Sequence, residues 1–183
     1  MSRSKAVIIS LILLSIVFIL SLTNIILNVV EGLPYPLYET IFCGLVLLGI
    51  ILPFIPRFAE FDRYPRIFLP LLGFLLSSAF YGVTGIQQGG GFNIAIGILD
   101  FVMACVIVSS LVFMIRKENS DRSRLYSYIA LASIAVLSLT IVILSVINFA
   151  REDTLSAVRS VGLVSLLFAG LAIPGSTYLT IRK

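Results

Sequence analysis

The sequence predicts an all-α integral membrane protein: six transmembrane helices arranged as three hairpins, with both termini cytoplasmic. Three observations predict it. Of 183 residues, 59% are hydrophobic and only 12% charged, and the mean hydropathy is +1.12. A chain this short has too much surface for its volume to hide so much apolar area from water. Long charge-free runs recur along it, each near the ~20 residues that cross the hydrocarbon layer. Finally, eleven of the thirteen Lys and Arg residues fall in alternate connecting segments, and such bias places those segments inside.

The first span, 5–30, follows "MSRSK" and has the charge order of a signal peptide. Its apolar run exceeds the roughly 7–15 residues of a signal h-region, and the chain continues into "EGLPYPLYE" with no A-x-A-like site. It therefore reads as a retained helix. The second span, 39–52, is cut short by Pro53 and Pro56, because proline removes a backbone donor. Spans three to six run over 67–86, 92–115, 125–149 and 161–181. The segments read as inside are 1–5, 56–66, 116–124 and 182–183; those read as outside are 31–38, 87–91 and 150–160. Tyr35 and Tyr38 flank the first outer turn, and Phe58, Phe61 and Tyr64 lie in the inner segment "PRFAEFDRYPR". Such rings favour headgroup depth, and that segment reads as a short interfacial helix. The mixed charges of "AREDTLSAVRS" at 150–160 read as an amphipathic turn on the outer surface or a partner's docking point. "GIQQGGGFN" at 85–93 has neither the preceding strand nor the lysine of a phosphate-binding loop, and reads as a turn.

The whole of 1–183 forms one membrane domain, within which 1–60 and 121–183 resemble each other. "LSLTNIILNVV" at 20–30 aligns with "LSLTIVILSVI" at 137–147, and "GIILP" at 49–53 with "GLAIP" at 170–174. Both copies share one orientation, so this would be a parallel repeat. Aligned polar residues are Ser21 with Ser138, Thr23 with Thr140, and Asn28 with Ser145. Asn24 and Asn148 stand three residues from their neighbours on the same faces.

One carboxylate, Asp100, lies inside the span "FNIAIGILDFVMACVIVSSLVFMI". It sits about 10 Å below the outer end, taking ~1.5 Å per residue. Tyr81 and Thr84 on span three reach a similar depth, as do Asn24, Asn28, Thr140, Ser145 and Asn148. The inner halves of the spans are poorer in polar groups. These eight residues form the candidate polar pocket or partner contact, open to the outside. A charge facing lipid costs about 2.5–3.5 kcal/mol at mid-helix on insertion scales, so Asp100 is expected to face protein or water. Three roles fit it: a structural hydrogen bond to Tyr81 or an asparagine of span one, an ion pair with a cationic residue of another subunit, or a site for a cation, a proton or a substrate amine.

Chemistry is otherwise sparse. Histidine is absent, and the two cysteines, Cys43 and Cys105, lie in different spans. Histidine-ligated metal or haem sites and histidine bases are thereby excluded, and a lone carboxylate cannot serve as both acid and base. No enzyme, metal or cofactor is expected. The net charge of +4 is the topological bias and not a nucleic-acid footprint. The pairs Ser78/Gly82 and Ser165/Ala169 have the small-x-x-x-small spacing of close helix contacts.

The expected function is a non-catalytic subunit or scaffold of a larger membrane complex, in contact with lipid and other membrane subunits. The alternative is a small transporter or substrate-binding subunit that takes a small molecule or ion into the outer polar pocket. In size and topology the chain resembles the substrate-capture components of energy-coupling-factor vitamin transporters. Those carry a small-residue docking motif on the first helix, and Ala6-x-x-x-Ser10 stands at that place here. The resemblance implies binding of a small molecule and a partner coupling subunit.

Overall fold

A computed structural model describes residues 3–32, 37–55, 63–115, 121–152 and 156–181. All regular structure among them is helical: α1 (Arg3–Val30), α2 (Leu37–Ile51), α3 (Arg63–Gln88), α4 (Gly91–Ile115), α5 (Asp121–Arg151) and α6 (Ala157–Ile181). All six carry a stretch long and apolar enough to cross a membrane, from Lys5–Val30 to Val158–Leu179.

Local chemistry explains where the helices depart from the expected spans. The second continues through Pro53 by tightening into a single 3-10 turn, Leu52–Phe54, with proline in its first positions, where no donor is required. The third begins four residues early and takes Pro65 into its first turn. The sixth starts at Ala157 because Ser156 caps it, its hydroxyl accepting from the Arg159 N–H at 3.3 Å. Residues 157–160 are therefore helix rather than an outer turn. The expected interfacial helix at 56–66 lies mostly outside the described residues, and its last four residues belong to α3. Between α3 and α4 only Gly89 and Gly90 intervene, at φ 71° and 80°. Side chains rarely adopt that left-handed region, so the glycine run serves the turn.

The helices close a ring. Each packs on its neighbours in sequence, α6 returns to α1, and α3 and α6 also meet across the middle. Side-chain contacts fix the registers, and every neighbouring pair is antiparallel. Ser21 faces Ser165 across α1 and α6, and further along Leu13 faces Gly175. Met103 faces Ser138 and Asn93 faces Asn148 across α4 and α5. Tyr38 stacks on Phe80, and Phe42 meets Phe74, across α2 and α3. One end of the bundle thus carries Val30, Gln88 and Arg151; the other carries Arg66 and Leu125.

Apolar burial alone does not hold helices together in lipid, which is as apolar as leucine; close packing does. At α3–α4 the backbones touch. A Cβ on Gly97 would lie 2.8 Å from the Gly82 carbonyl oxygen, and one on Gly85 would lie 3.0 Å from the Asn93 carbonyl oxygen. At α5–α6, a Cβ on Gly170 would overlap the Ser138 side chain. Ser78, Gly82, Ser165 and Ala169 are all buried within this one chain, so both small-residue pairs pack its own helices. The aligned helices α1 and α5 bury matching positions: Ser10 and Ser127, Leu14 and Leu131, Val17 and Ile134, Ser21 and Ser138, Asn24 and Ile141. Thr23 and Thr140 match too, each turned outward and bonded to the carbonyl four residues back.

Candidate functional site

Helix α4 buries one stripe, formed by Gly97, Asp100, Met103, Ala104, Ile107 and Ser110. Recurrence every three or four residues puts them on one face. Asp100 is therefore an inward-facing residue, 4% exposed. Gly97, one turn away, lets α3 come close enough to shut Asp100 off from lipid. No hydrogen bond or ion pair joins Asp100 to any described residue. Across the α4–α5 seam, the register set by Met103–Ser138 and Asn93–Asn148 puts Asp100 level with Ile141, and buried Ser145 lies one turn nearer the Arg151 end. Ser77 and Ser78 of α3 are buried one turn nearer the Arg66 end.

The remaining candidates divide between two seams. On the α1–α6 side, Asn24 is buried with its amide against Gly162, and Asn28 Nδ2 donates to the Asn24 carbonyl at 2.7 Å and to its side-chain oxygen at 3.2 Å. Ser21 and Ser165 meet one turn further in, with hydroxyl oxygens 3.4 Å apart. On the α4–α5 side, Asn148 Nδ2 donates to Asn93 Oδ1 at 3.3 Å. The Arg151 guanidinium caps that seam, 4.7 Å from the centre of the Phe92 ring, and Arg159 similarly lies 4.8 Å from the Phe149 ring.

Besides Asn24 and Asn28 in the α1–α6 seam, three more candidates do not join Asp100. Tyr81 is 39% exposed and packs edge-on against Phe80. Thr84 returns its hydroxyl to the carbonyls of Phe80 and Tyr81, and Thr140 does the same to Val136. The hydrogen bond from Tyr81 or an asparagine of α1 that would make Asp100 a structural group is not formed.

Two features escaped sequence reading. Asn93 lies seven residues before Asp100 and so shares its face, a signal present in "GGGFN". The half of the bundle toward Arg66 is also richer in polar groups than expected: Ser10, Ser110, Ser176 and Thr177 are all buried there, with Arg66 and Ser127 nearer its end. Serine and threonine pass for small apolar residues in a hydropathy reading.

Among the described residues, no three His, Cys, Asp or Glu side chains gather as a metal site. Asp100 is a single carboxyl group in an apolar ring, with neutral hydroxyls and amides one to two turns away. That arrangement can hold a small cation. No family model matches this chain, and no curated protein or solved structure matches it.

Proposed function

We propose that this chain is a non-catalytic multi-pass membrane protein that binds a small cation, or the ammonium end of a small molecule, at Asp100, and serves as a carrier or substrate-binding unit. The observation that carries the reading is the position of Asp100: inside the bundle, 4% exposed, and without a partner among the described residues. An ion pair with another subunit calls for a carboxylate on the outer surface, and Asp100 is turned the other way. Burying an unpaired carboxylate is costly, and intramembrane acids that persist mark ion or substrate paths. Exposed hydroxyls of Thr23, Ser109, Ser133 and Thr140 all bond back to their own helices, which suits a surface finished for lipid. The distribution of Lys and Arg supports cytoplasmic termini, with the Arg151 end of the bundle, and hence the shorter route to Asp100, outside.

The test is thermal unfolding of the detergent-purified protein in sodium chloride and in methylammonium chloride, against bulky N-methylglucamine at equal ionic strength. A ligand that binds only the folded state at 100 times its Kd adds about 2.7 kcal/mol. A small cation should therefore raise the melting temperature of the wild type and leave Asp100→Asn unmoved. No shift with either cation, or an equal shift in Asp100→Asn, contradicts the reading.

A subunit of a larger assembly is the second reading. Helices α1 and α5 turn long apolar ridges outward, from Ile8 to Val30 and from Leu125 to Ile147, where partner helices can pack in place of lipid. Stoichiometric partners retained in mild detergent would favour it.

A further inference from the structure

Hydroxyls in this protein, exposed or buried, commonly bond back to their own helix; buried Ser78 and Ser138 do so at 2.9 Å. Exposed ones satisfy themselves: Thr23, Ser109, Ser133 and Thr140 each donate to the carbonyl four residues back, at 2.8–2.9 Å. Lipid offers no acceptor, so this is the expected arrangement. Ser10, Ser110 and Thr177 behave otherwise. All three are 0% exposed, and none of their hydroxyl oxygens has a hydrogen-bond partner among the described residues; Ser77, 8% exposed and near the Asp100 level, is likewise unpartnered. A buried unsatisfied hydroxyl costs about 1–3 kcal/mol, and folding back onto the helix is open to each of them. Their inward orientation calls for a polar partner that no described residue supplies.

Register places the three at one depth. Ser10 and Thr177 lie opposite across α1–α6, just over three turns beyond the Ser21–Ser165 contact and next to the Leu13–Gly175 contact. Ser110 is ten residues beyond Asp100 on the same face of α4, about 15 Å at 1.5 Å per residue. Ser77, Ser78 and Ser138 lie within about a turn of Asp100; beyond them, up to the second depth, the ring is filled by Leu14, Phe74, Ile107, Ile134 and Ile173, each no more than 2% exposed. The bundle therefore holds two polar levels with an apolar plug between them. The helices that meet across the plug, α3 and α6, are also the two with an internal proline, Pro70 and Pro174. Neither proline can donate to the carbonyl four residues back, that of Arg66 or of Gly170, and such positions are where helices bend.

We propose that Ser10, Ser110 and Thr177 form a second binding stage for the same cation, reached from the Arg66 end of the bundle, and that bending of α3 and α6 at Pro70 and Pro174 opens the plug between the two stages. This rests on the reading of Asp100 as a cation site. The chemistry of the stages is graded. Asp100 offers a negative charge, whereas the second level offers only neutral hydroxyl oxygens, which hold a partly hydrated cation weakly. Passage requires binding strong enough for entry and weak enough for exit, and a charged stage followed by a neutral one supplies both.

The experiment is thiol labelling of single-cysteine variants in a Cys43→Ala/Cys105→Ala background, with a membrane-impermeant methanethiosulfonate reagent. Ser110→Cys and Thr177→Cys are near in size to the native residues, and Val108→Cys is the lipid-facing control, 44% exposed. Thiolates form where water reaches. Both inward variants should label at least tenfold faster than Val108→Cys in inside-out vesicles, where the Arg66 end faces the reagent, and should not do so from the opposite side. Labelling of Ser110→Cys and Thr177→Cys no faster than Val108→Cys from either side overturns the second stage. The labelling needs no cation, so failure of the Asp100 reading shows separately, in the thermal shift.

Discussion

Gly97→Leu is expected to unfold the α3–α4 seam and sharply lower the recovery of monodisperse protein. A Cβ at Gly97 would meet the Gly82 carbonyl oxygen at 2.8 Å, and the Ile86 N and Cγ1 atoms at 3.0 Å. Two of these atoms are backbone, so the helices have to part. Overpacking of a tight core costs about 1–3 kcal/mol, occasionally more, against a total stability of roughly 5–15 kcal/mol. Leucine adds three further carbons at the same point and belongs at the upper end. Gly44→Ala is the matched control: nothing lies within 4 Å of its Cβ position, and alanine there should gain about 0.5–1 kcal/mol of helix preference. Thermal unfolding read by size-exclusion chromatography separates the two. A Gly97→Leu protein as stable as the wild type would mean that α3 and α4 do not cross at these glycines.

Asp100→Val should have the opposite sign. If the carboxylate is kept for a ligand and not for the fold, its removal relieves an unpaired buried polar group. The protein should then gain about 1–3 kcal/mol of stability while losing any response to cations. Such an exchange of function for stability is common at binding sites. Asn148→Val supplies the contrast, because it strips Asn93 of its partner and should destabilise by about 1–3 kcal/mol. Both variants are read by the same unfolding assay. A destabilised Asp100→Val would make the carboxylate a structural group after all.

These two expectations also mark how far the sequence could be read. Six spans were legible because the lipid crossing demands a long apolar run, and the inward turn of Asp100 was legible because lipid penalises a charge. The neighbours of Asp100 were harder. Depth counting brought Tyr81 and Thr84 to the right level of α3 but ignored helical phase. The small pair Ser78 and Gly82 marks the packed face of that helix, and Tyr81 lies off it. The single pocket expected from eight polar residues became two seams because α6 closes on α1 and α5 on α4, and the order of helices around a ring leaves no trace in hydropathy. Asn93 could have been found by its seven-residue spacing from Asp100. The hydroxyl level at Ser10, Ser110 and Thr177 could not, since the same residue types on outward faces are inert.

A cation held at Asp100 inside the bundle would shield its carboxyl from chemical attack. The most direct measurement is modification of the purified protein by a hydrophobic carbodiimide, which attacks carboxyls in apolar surroundings, read residue by residue by mass spectrometry. Asp100 is expected to be modified, and the small cation effective in thermal unfolding to suppress the modification in a concentration-dependent way. Modification of Asp100 that no cation alters would contradict a cation site there.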